Sequence, residues 1–472
     1  MPIPTLLLVL LPALFSDPPE WGGFRGNNGA GVADSERLLD ALDPEVNLVW
    51  RTEVPGGYSS PTVAGERVFV TGAEGEALLT ICLDRHTGEI RWRRAVPFDG
   101  ERPGKNSPAA PSPVTDGERV YALFHGFGLI AFDLEGKELW TKPLGPFHIP
   151  HGMSSSPLVH GDLLILQVDQ DQDSHLIAFE ASTGEEVWRT DRPGARHSYA
   201  TPALYVPTEG PAQVIVSGSF QISGYSALTG EKLWWMDGSA WQTKSVPVIA
   251  GDTCIVNAYM VTPSEFGVPS MARPWAEVLE ERDADGDGKI ARSEWDDRML
   301  QKAWFLFDLD DDDHLDEQDY AYAAACADAT GGLFAIRLDG RGDVTESHVT
   351  WKYDDRRGLP DAPSPLLFEG TLFMIKEGGL FTAIDPATGE VAKQGRVGEP
   401  DQYFASPIGA AGRIITASQS GQLCVIAGGR EWEVLSVNDL EEDVWATPAI
   451  AGDQVFVRSV EALYCFQDDS ER

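Results

Sequence analysis

Short apolar stretches alternate with turn-forming residues along most of the chain, a pattern that is typical of β-strands joined by tight turns. One unit recurs: a small or polar residue and a proline, a turn, and then an apolar strand, as in Ser60–Val70. The prolines of the later copies are Pro113, Pro157, Pro202, Pro247, Pro365, Pro407 and Pro448. Successive copies lie 41–52 residues apart, except for one interval of 118. This spacing predicts an all-β, eight-bladed β-propeller with an insert in one blade.

Each unit also has a second half, in which a strand is followed by a turn and a tryptophan, as in Leu83–Trp92 and Ala178–Trp188. An acidic residue accepts hydrogen bonds in the turn, a glycine adopts positive φ, and the chain returns as an outer strand. We expect the tryptophan on this outer strand to pack against the next blade, because its large side chain then buries a large area.

The two ends of the repeat are out of phase in a way that predicts how the ring closes. Asn47–Trp50 looks like an outermost strand that has no preceding blade, while the last copy ends near Leu463–Phe466. We therefore expect the N-terminal strand to complete the last blade, which removes exposed strand edges.

The long interval contains a segment of different composition, rich in alanine and acidic residues. Apolar residues recur at helical spacing in Pro274–Glu281 and Met299–Phe307. Between these two stretches, Asp283–Glu294 matches the twelve-residue EF-hand loop at every diagnostic position. A second loop, Asp308–Asp319, follows, and we expect the helix leaving the first loop to enter the second. The insert is thus predicted to be a small α-helical EF-hand pair.

Calcium is the cofactor that these two loops predict, because short carboxylates suit a hard cation. The second loop is expected to bind more weakly, since Asp313 replaces the turn glycine and Asp319 replaces the longer closing glutamate. Ile290 and Leu315 occupy matching positions and are expected to pair. The predicted ligands are Asp283, Asp285, Asp287, Lys289 through its carbonyl oxygen, Glu294, Asp308, Asp310, Asp312, His314 and Asp319.

These patterns also predict the division of the chain. The expected parts are a signal peptide at 1–16, an N-terminal extension at 17–46, the propeller at 47–262 and 331–466, the EF-hand insert at 263–330 and a tail at 467–472.

The motif Asp-x-x-Thr-Gly-x-x-x-Trp at Asp84–Trp92 resembles the tryptophan-docking repeat of the pyrroloquinoline-quinone-repeat (PQQ-repeat) propellers. This family contains quinoprotein alcohol dehydrogenases and BamB-like scaffolds, and the resemblance covers roughly residues 45–262 and 331–466. Because one fold serves both enzymes and scaffolds, the resemblance implies the fold more strongly than an activity. The enzymes typically carry adjacent cysteines against the quinone, and this sequence has no adjacent cysteine pair.

Composition limits the classes of partner. The chain of 472 residues has 74 Asp and Glu against 36 Lys and Arg, a net charge of −38, so we expect no nucleic-acid partner. The apolar run Thr5–Phe15 is too short to span a membrane and suits a signal peptide, which predicts export to the periplasm or the extracellular space without a transmembrane segment. No cysteine lies near this run, so no lipid anchor is expected. The five cysteines are scattered and predicted to be buried thiols.

Polar and aromatic residues recur just before the innermost strands, where a propeller channel usually binds ligands. The weak candidates for such a pocket are Tyr58, His151, His197, Tyr199, Gln402 and Trp445. The alternative is that they only cap strand ends. The sequence therefore favours an exported, non-enzymatic binding or scaffold propeller with a protein or carbohydrate ligand. The alternative function is a quinone-dependent oxidoreductase that uses the central channel, for which PQQ would be the cofactor.

Overall fold

The computed structural model describes residues 19–98, 102–145, 147–268, 271, 273–329 and 331–468. The predicted signal peptide at 1–16 lies outside the described residues. The chain forms a closed ring of eight four-stranded blades, which confirms the predicted eight-bladed propeller. An N-terminal segment of residues 19–47 precedes the first strand, β1 (Leu48–Glu53).

Each of the first four blades consists of four consecutive antiparallel strands, ordered from the central channel outwards. Blade 1 contains β2 (Thr62–Ala64), β3 (Arg67–Glu74), β4 (Ala77–Asp84) and β5 (Ile90–Pro97). Blade 2 contains β6 (Val114–Thr115), β7 (Arg119–Phe124), β8 (Gly128–Asp133) and β9 (Glu138–Pro143). Blade 3 contains β10 (Leu158–His160), β11 (Leu163–Val168), β12 (His175–Glu180) and β13 (Glu186–Asp191). Blade 4 contains β14 (Ala203–Tyr205), β15 (Gln213–Gly218), β16 (Gln221–Ser226) and β17 (Lys232–Asp237).

Blade 5 is interrupted between its second and third strands. It begins with β18 (Val248–Ala250) and β19 (Thr253–Ala258). The insert then follows with α1 (Trp275–Arg282), β20 (Ile290–Ala291), α2 (Arg298–Ala303), β21 (His314–Leu315) and α3 (Glu317–Asp328). The blade resumes with β22 (Gly332–Arg337), β23 (Gly342–Asp343) and β24 (Val349–Tyr353), of which β23 pairs in parallel with β17 of blade 4.

The last three blades return to the regular pattern. Blade 6 contains β25 (Leu366–Phe368), β26 (Thr371–Lys376), β27 (Leu380–Ile384) and β28 (Val391–Arg396). Blade 7 contains β29 (Ile408–Ala410), β30 (Arg413–Ala417), β31 (Gln422–Ala427) and β32 (Glu433–Asp439). Blade 8 contains β33 (Ala449–Ala451), β34 (Gln454–Arg458) and β35 (Ala462–Phe466). Its outermost strand is β1, which pairs antiparallel with β35 and closes the ring as predicted.

Tryptophan docking joins neighbouring blades at their outer strands, as the sequence predicts. Trp140 of blade 2, for example, donates its indole N–H to the Ala181 carbonyl oxygen of blade 3 at 3.0 Å. A Cβ at Gly184, which has φ +70°, would lie 2.7 Å from this indole. The glycine therefore serves both the positive φ of the turn and the close approach of the ring. The same pairing of an indole with a glycine occurs at Trp50 with Gly88, Trp92 with Gly136, Trp188 with Gly230 and Trp351 with Gly389.

A ring of hydrogen bonds joins the blades around the channel. At seven of the eight junctions, the backbone N–H of the residue before the recurrent proline donates to a serine or threonine hydroxyl of the next blade at 2.9–3.0 Å. Thr447 N–H donates to Ser60, so the ring includes the junction between the last blade and the first. Val246 has no hydroxyl, and the eighth junction cannot form this bond.

The insert differs from prediction between its two loops, where one continuous helix was expected. A 3₁₀ turn at Arg292–Glu294 is followed by α2, and a second 3₁₀ turn at Trp304–Leu306 leads into the second loop. The physical reason is a new helix start at Asp297, whose side chain accepts hydrogen bonds from the backbone N–H groups of Met299 and Leu300. Within the described residues, no helix is long and apolar enough to cross a membrane.

Candidate functional site at the channel mouth and in the insert

The channel mouth is the end of the channel formed by the loops that precede the innermost strands. The six candidate residues at this mouth fall into three places. His151, His197 and Tyr199 form one group, with the His151 and Tyr199 rings 6.0 Å apart and the His197 and Tyr199 rings 6.3 Å apart. Tyr58 and Trp445 form a second group, while Gln402 is exposed and belongs to neither.

His197 is an anchor for the insert rather than an accessible base. It is fully buried, and its Nδ1 donates to Asp171. Its Nε2 lies 3.4 Å from the hydroxyl of Tyr322 on α3. Trp241 packs edge-on against the imidazole with the ring centres 6.1 Å apart. Burial raises the pKa of Tyr322 well above its usual value. The phenol therefore stays neutral, and its hydroxyl can donate a hydrogen bond to His197.

His151 lies where the insert covers the channel mouth. It packs against Phe305 of the insert, with the ring centres 5.8 Å apart. Burial, followed by the positive charges of Lys105 and other groups, lowers the pKa of His151 to about 4, so its imidazole is neutral at pH 7. A cavity of about 230 Å³ opens here between the mouth loops and α2, with Trp241 and Met260 among its apolar walls.

The second group is a stack of three aromatic rings that crosses blades 7, 8 and 1. Trp445 lies between Tyr58 at 4.8 Å and 6°, and Phe404 at 4.2 Å and 9°. All three side chains are half-buried. Burial and then the charge of Asp443 raise the pKa of Tyr58, so its ring carries no charge at neutral pH. Tyr58 and Phe404 cover the two faces of the Trp445 indole, so this uncharged stack presents the edge of Trp445, on the part of the mouth formed by blades 7, 8 and 1.

The enzymes of the family are expected to hold their quinone against two adjacent cysteines, and the described residues do not supply such a pair. All five cysteines are buried, and none forms a disulfide. Four of them lie in β4, β19, β31 and β35, and Cys326 lies in α3. Since no two of these cysteines are adjacent in the sequence or disulfide-bonded, the chain has no cysteine pair to lie against a quinone.

The first loop of the insert brings three of its five predicted ligands together. One carboxylate oxygen from each of Asp283, Asp285 and Asp287 lies within 4.8 Å of the others. Asp283 accepts hydrogen bonds from the Gly286 and Gly288 N–H groups at 2.7 and 3.0 Å. The two oxygens of Glu294 accept from the second and ninth residues of the loop, both at 2.8 Å. The three aspartate carboxylates thus lie close together, and Glu294 joins the two ends of the loop through the backbone.

The second loop repeats this arrangement despite its two substitutions. Asp308, Asp310 and Asp312 have oxygens within 4.8 Å of one another. Asp313 adopts φ +63°, so it fills the turn-glycine position with the positive φ that the sequence predicts. Asp319 is nearly buried and accepts from the second and ninth residues of its loop at 3.1 and 3.0 Å, as Glu294 does in the first. Burial raises the pKa of Asp319 to about 7.

The two loops contact each other and the propeller. Ile290 pairs with Leu315 across the short β20–β21 ladder, which confirms the predicted pairing. Lys289 forms an ion pair with Asp312 of the second loop. The Leu309 carbonyl oxygen accepts from the side chain of Gln172 in blade 3 at 3.2 Å. The geometry of the second loop is thereby linked to the rim of the channel.

Sequence reasoning missed three features around these sites. Phe404 completes the aromatic stack, and its position before Ser406 and Pro407 was the available signal, since Tyr58 and Trp445 occupy the same place in their units. Asp171 and Tyr322 gave no signal, because they lie 26 and 125 residues from His197. The N-terminal segment also brings the fully buried Arg25 to the innermost strand of blade 6, where it donates to the Pro365 carbonyl oxygen at 2.7 Å.

The fold is similar to those of several solved structures. BamB from Moraxella catarrhalis has 10% identity and a TM-score of 0.56, with 89% of this chain and 99% of that chain covered. Quinohemoprotein alcohol dehydrogenase from Comamonas testosteroni has 13% identity and a TM-score of 0.57, with 95% and 80% covered. Sqt1 from Saccharomyces cerevisiae has 8% identity and a TM-score of 0.58, with 90% and 100% covered. At these identities the likeness shows the fold alone.

No curated protein matches the sequence. A family model described as outer membrane protein assembly factor BamB matches residues 23–148, 146–259 and 336–470. These matches cover most of the propeller and leave the insert unmatched. The chain therefore belongs to the PQQ-repeat propeller family that this BamB model describes.

Proposed function

We propose that this protein is an exported, non-enzymatic binding scaffold whose insert is an EF-hand pair that holds calcium over the channel mouth. One observation carries the proposal: two paired loops with converging carboxylates are seated directly on the rim of the channel. Membership of the BamB-like family supports a scaffold role, since the propeller there is named for an assembly factor. The predicted signal peptide supports export.

Calcium is the ion that best suits the donor set. Six aspartate carboxylates in two clusters, two closing carboxylates and backbone carbonyl oxygens are all hard oxygen ligands. Like charges held within 4.8 Å of one another repel, and a bound divalent cation offsets that repulsion. The predicted ligands in the first loop are Asp283, Asp285, Asp287, the Lys289 carbonyl oxygen and Glu294. In the second loop they are Asp308, Asp310, Asp312, His314 and Asp319.

The role of calcium follows from the contacts of the insert. The second loop meets blade 3 through Gln172, and α3 meets the propeller through Tyr322. Calcium bound in each loop would hold the loop in place and, with it, the neighbouring helices α2 and α3. The part of the mouth that the insert covers would then be held in place as well. The aromatic stack around Trp445 is half-exposed on the other side, and uncharged aromatic groups suit an apolar part of a protein or carbohydrate ligand.

The Glu294→Gln variant is expected to bind calcium at the first loop at least about tenfold more weakly than the wild type, because one charged ligand is removed. Wild-type affinity is expected near 10⁻⁴–10⁻³ M, the range of extracellular calcium modules. Isothermal titration calorimetry of the full chain measures both values.

Glu280→Gln is the matched control, since Glu280 is exposed on α1 outside both loops. This variant makes the same chemical change and is expected to bind calcium as the wild type does. Unchanged affinity and stoichiometry in Glu294→Gln would show that the first loop is not a calcium site.

The non-enzymatic role has its own test, a titration of the full chain with PQQ in excess calcium followed by dye reduction with simple alcohols and sugars. We expect neither saturable binding nor turnover. Saturable binding with turnover would overturn the non-enzymatic role and leave the calcium assignment untouched.

A further inference from the structure

The channel base, the end opposite the insert, is crossed by the N-terminal segment, which bonds to the inner edges of several blades. In blade 1, Trp21 and Val63 exchange two backbone hydrogen bonds, of 3.2 and 2.8 Å. In blade 2, the Thr115 N–H donates to the Gly22 carbonyl oxygen at 2.8 Å. In blade 7, the Gly409 N–H donates to Gly31 at 2.8 Å, and its carbonyl oxygen accepts from Ala33 at 3.0 Å. The inner edges of the blades thus bind extended peptide backbone.

In blade 4 a side-chain amide takes the place of the backbone. Asn28 donates from Nδ2 to the Leu204 carbonyl oxygen at 2.7 Å and accepts from the Leu204 N–H at 2.6 Å. An amide group is therefore the common partner of these inner edges.

The four bonded residues occupy one repeat position, two residues after the recurrent proline, and the residue at this position in blade 3 is Val159. Val159 pairs with Leu164 in the register in which Val63 pairs with Val68. Antiparallel pairs alternate, so the N–H and C=O of this middle residue point away from the neighbouring strand and towards the channel. Among the described residues, none outside blade 3 forms a backbone hydrogen bond with Val159.

A cavity of about 620 Å³ lies in front of Val159, where the N-terminal segment passes from blade 2 to blade 4 without covering blade 3. Phe24, Val114 and Pro157 are among its apolar walls. Three acidic residues, Asp116, Glu118 and Asp162, also line it, together with Arg119, which forms ion pairs with Asp116 and Glu118. This volume falls within the roughly 300–1,000 Å³ that is usual for ligand pockets.

We propose that this cavity binds an extended, lysine- or arginine-bearing peptide segment of a partner protein, which pairs with the Val159 backbone as Trp21 pairs with Val63. Addition of a strand to an open sheet edge is a general mode of peptide recognition. The chain supplies three backbone examples of it at equivalent positions, in blades 1, 2 and 7, and the Asn28 side chain imitates it in blade 4. The basic character follows from the excess of carboxylates over the one guanidinium, Arg119, in the cavity lining and from the net charge of −38.

This site deepens the proposed scaffold role by naming a class of partner, and it is independent of the calcium loops, which lie at the opposite end of the channel. If Glu294→Gln bound calcium as the wild type does, this inference would therefore still stand. A negative result with the peptides would likewise leave the calcium proposal standing.

The probe is a library of acetylated heptapeptides with lysine at both ends and randomised positions between, selected on the full chain. We expect enriched peptides that bind, by fluorescence polarisation, about tenfold more weakly to Val159→Pro, because the proline removes the one N–H that meets the ligand. A proline here spares the blade ladder, since that N–H does not face β11.

Ile249→Pro is the matched control, because Ile249 holds the same repeat position in blade 5 but does not line the cavity. It is expected to bind the peptides as the wild type does. A second arm keeps the wild-type protein and N-methylates the central peptide residues one at a time, and methylation of one residue is expected to cost about tenfold in affinity. No enrichment, equal binding to Val159→Pro, or indifference to N-methylation would each overturn the proposal.

Discussion

The Arg192→Met variant is expected to lose about 3–5 kcal/mol of unfolding free energy, because one partner of a buried ion pair is removed. Arg192 meets Asp169 through two parallel bonds, Nε to Oδ1 at 2.7 Å and Nη2 to Oδ2 at 3.0 Å. The two side chains are only 5% and 0% exposed. Without the guanidinium, Asp169 keeps hydrogen bonds from Gln167 and Ser198 but no opposite charge. Urea denaturation followed by tryptophan fluorescence measures the loss.

The control for this prediction is the same substitution in an exposed pair. Arg357 bonds Asp355 at 3.3 Å, and the two side chains are 87% and 42% exposed. Solvent screens such a pair, so Arg357→Met is expected to leave the urea midpoint unchanged. Adding Asp169→Asn to Arg192→Met is expected to recover part of the loss, because the unpaired charge disappears. Equal midpoints for Arg192→Met and the wild type would contradict the argument.

The propeller could be predicted because its determinants are local and repeated. Gly184 and the acidic residue four positions before it specify a turn without reference to the rest of the chain. Trp188 then follows at a fixed distance, and its partner is always the next unit. Ring closure could also be predicted, because Trp50 lies in an outer strand that no blade precedes.

The contacts that seat the insert could not be predicted, because they join residues with no common pattern. Asp171 lies in a loop of blade 3, His197 in the loop that joins blades 3 and 4, and Tyr322 in a helix of the insert. Nothing in the sequence fixes how a helical insert tilts over the mouth of the ring. The start of α2 is different: Asp297 is a favoured N-cap residue, and it was a usable signal that the helix between the loops is broken.

The cavity in front of Val159 was also beyond sequence reasoning. It exists because the N-terminal segment takes a short path from Gly22, which bonds to blade 2, to Asn28, which bonds to blade 4. The repeat specifies which backbone groups point into the channel, whereas the path of a non-repetitive segment depends on single contacts. The sequence therefore predicted the repeated innermost strands, but neither a binding edge at the channel base nor the cavity in front of blade 3.

The Trp140→Ala variant is expected to lose about 3–5 kcal/mol of unfolding free energy, since truncation of a buried indole removes apolar contacts and leaves a cavity. Trp140 is 8% exposed and packs against Tyr121 with the ring centres 5.8 Å apart. The substitution also removes the stronger of two donors to the Ala181 carbonyl oxygen, which keeps only the Tyr121 hydroxyl, at 3.2 Å, in the wall between blades 2 and 3. Urea denaturation of the calcium-loaded chain measures the change.

Leu139→Ala is the control, because Leu139 is the preceding residue on the same strand and is 41% exposed. It is expected to change the unfolding free energy by less than about 0.5 kcal/mol, as surface substitutions usually do. If Trp140→Ala cost no more than this control, the indole would not be holding the two blades together. A loss of about 3–5 kcal/mol in Trp140→Ala, with no such loss in Leu139→Ala, would show that the contact of Trp140 with Gly184 and Ala181 stabilises the junction between blades 2 and 3.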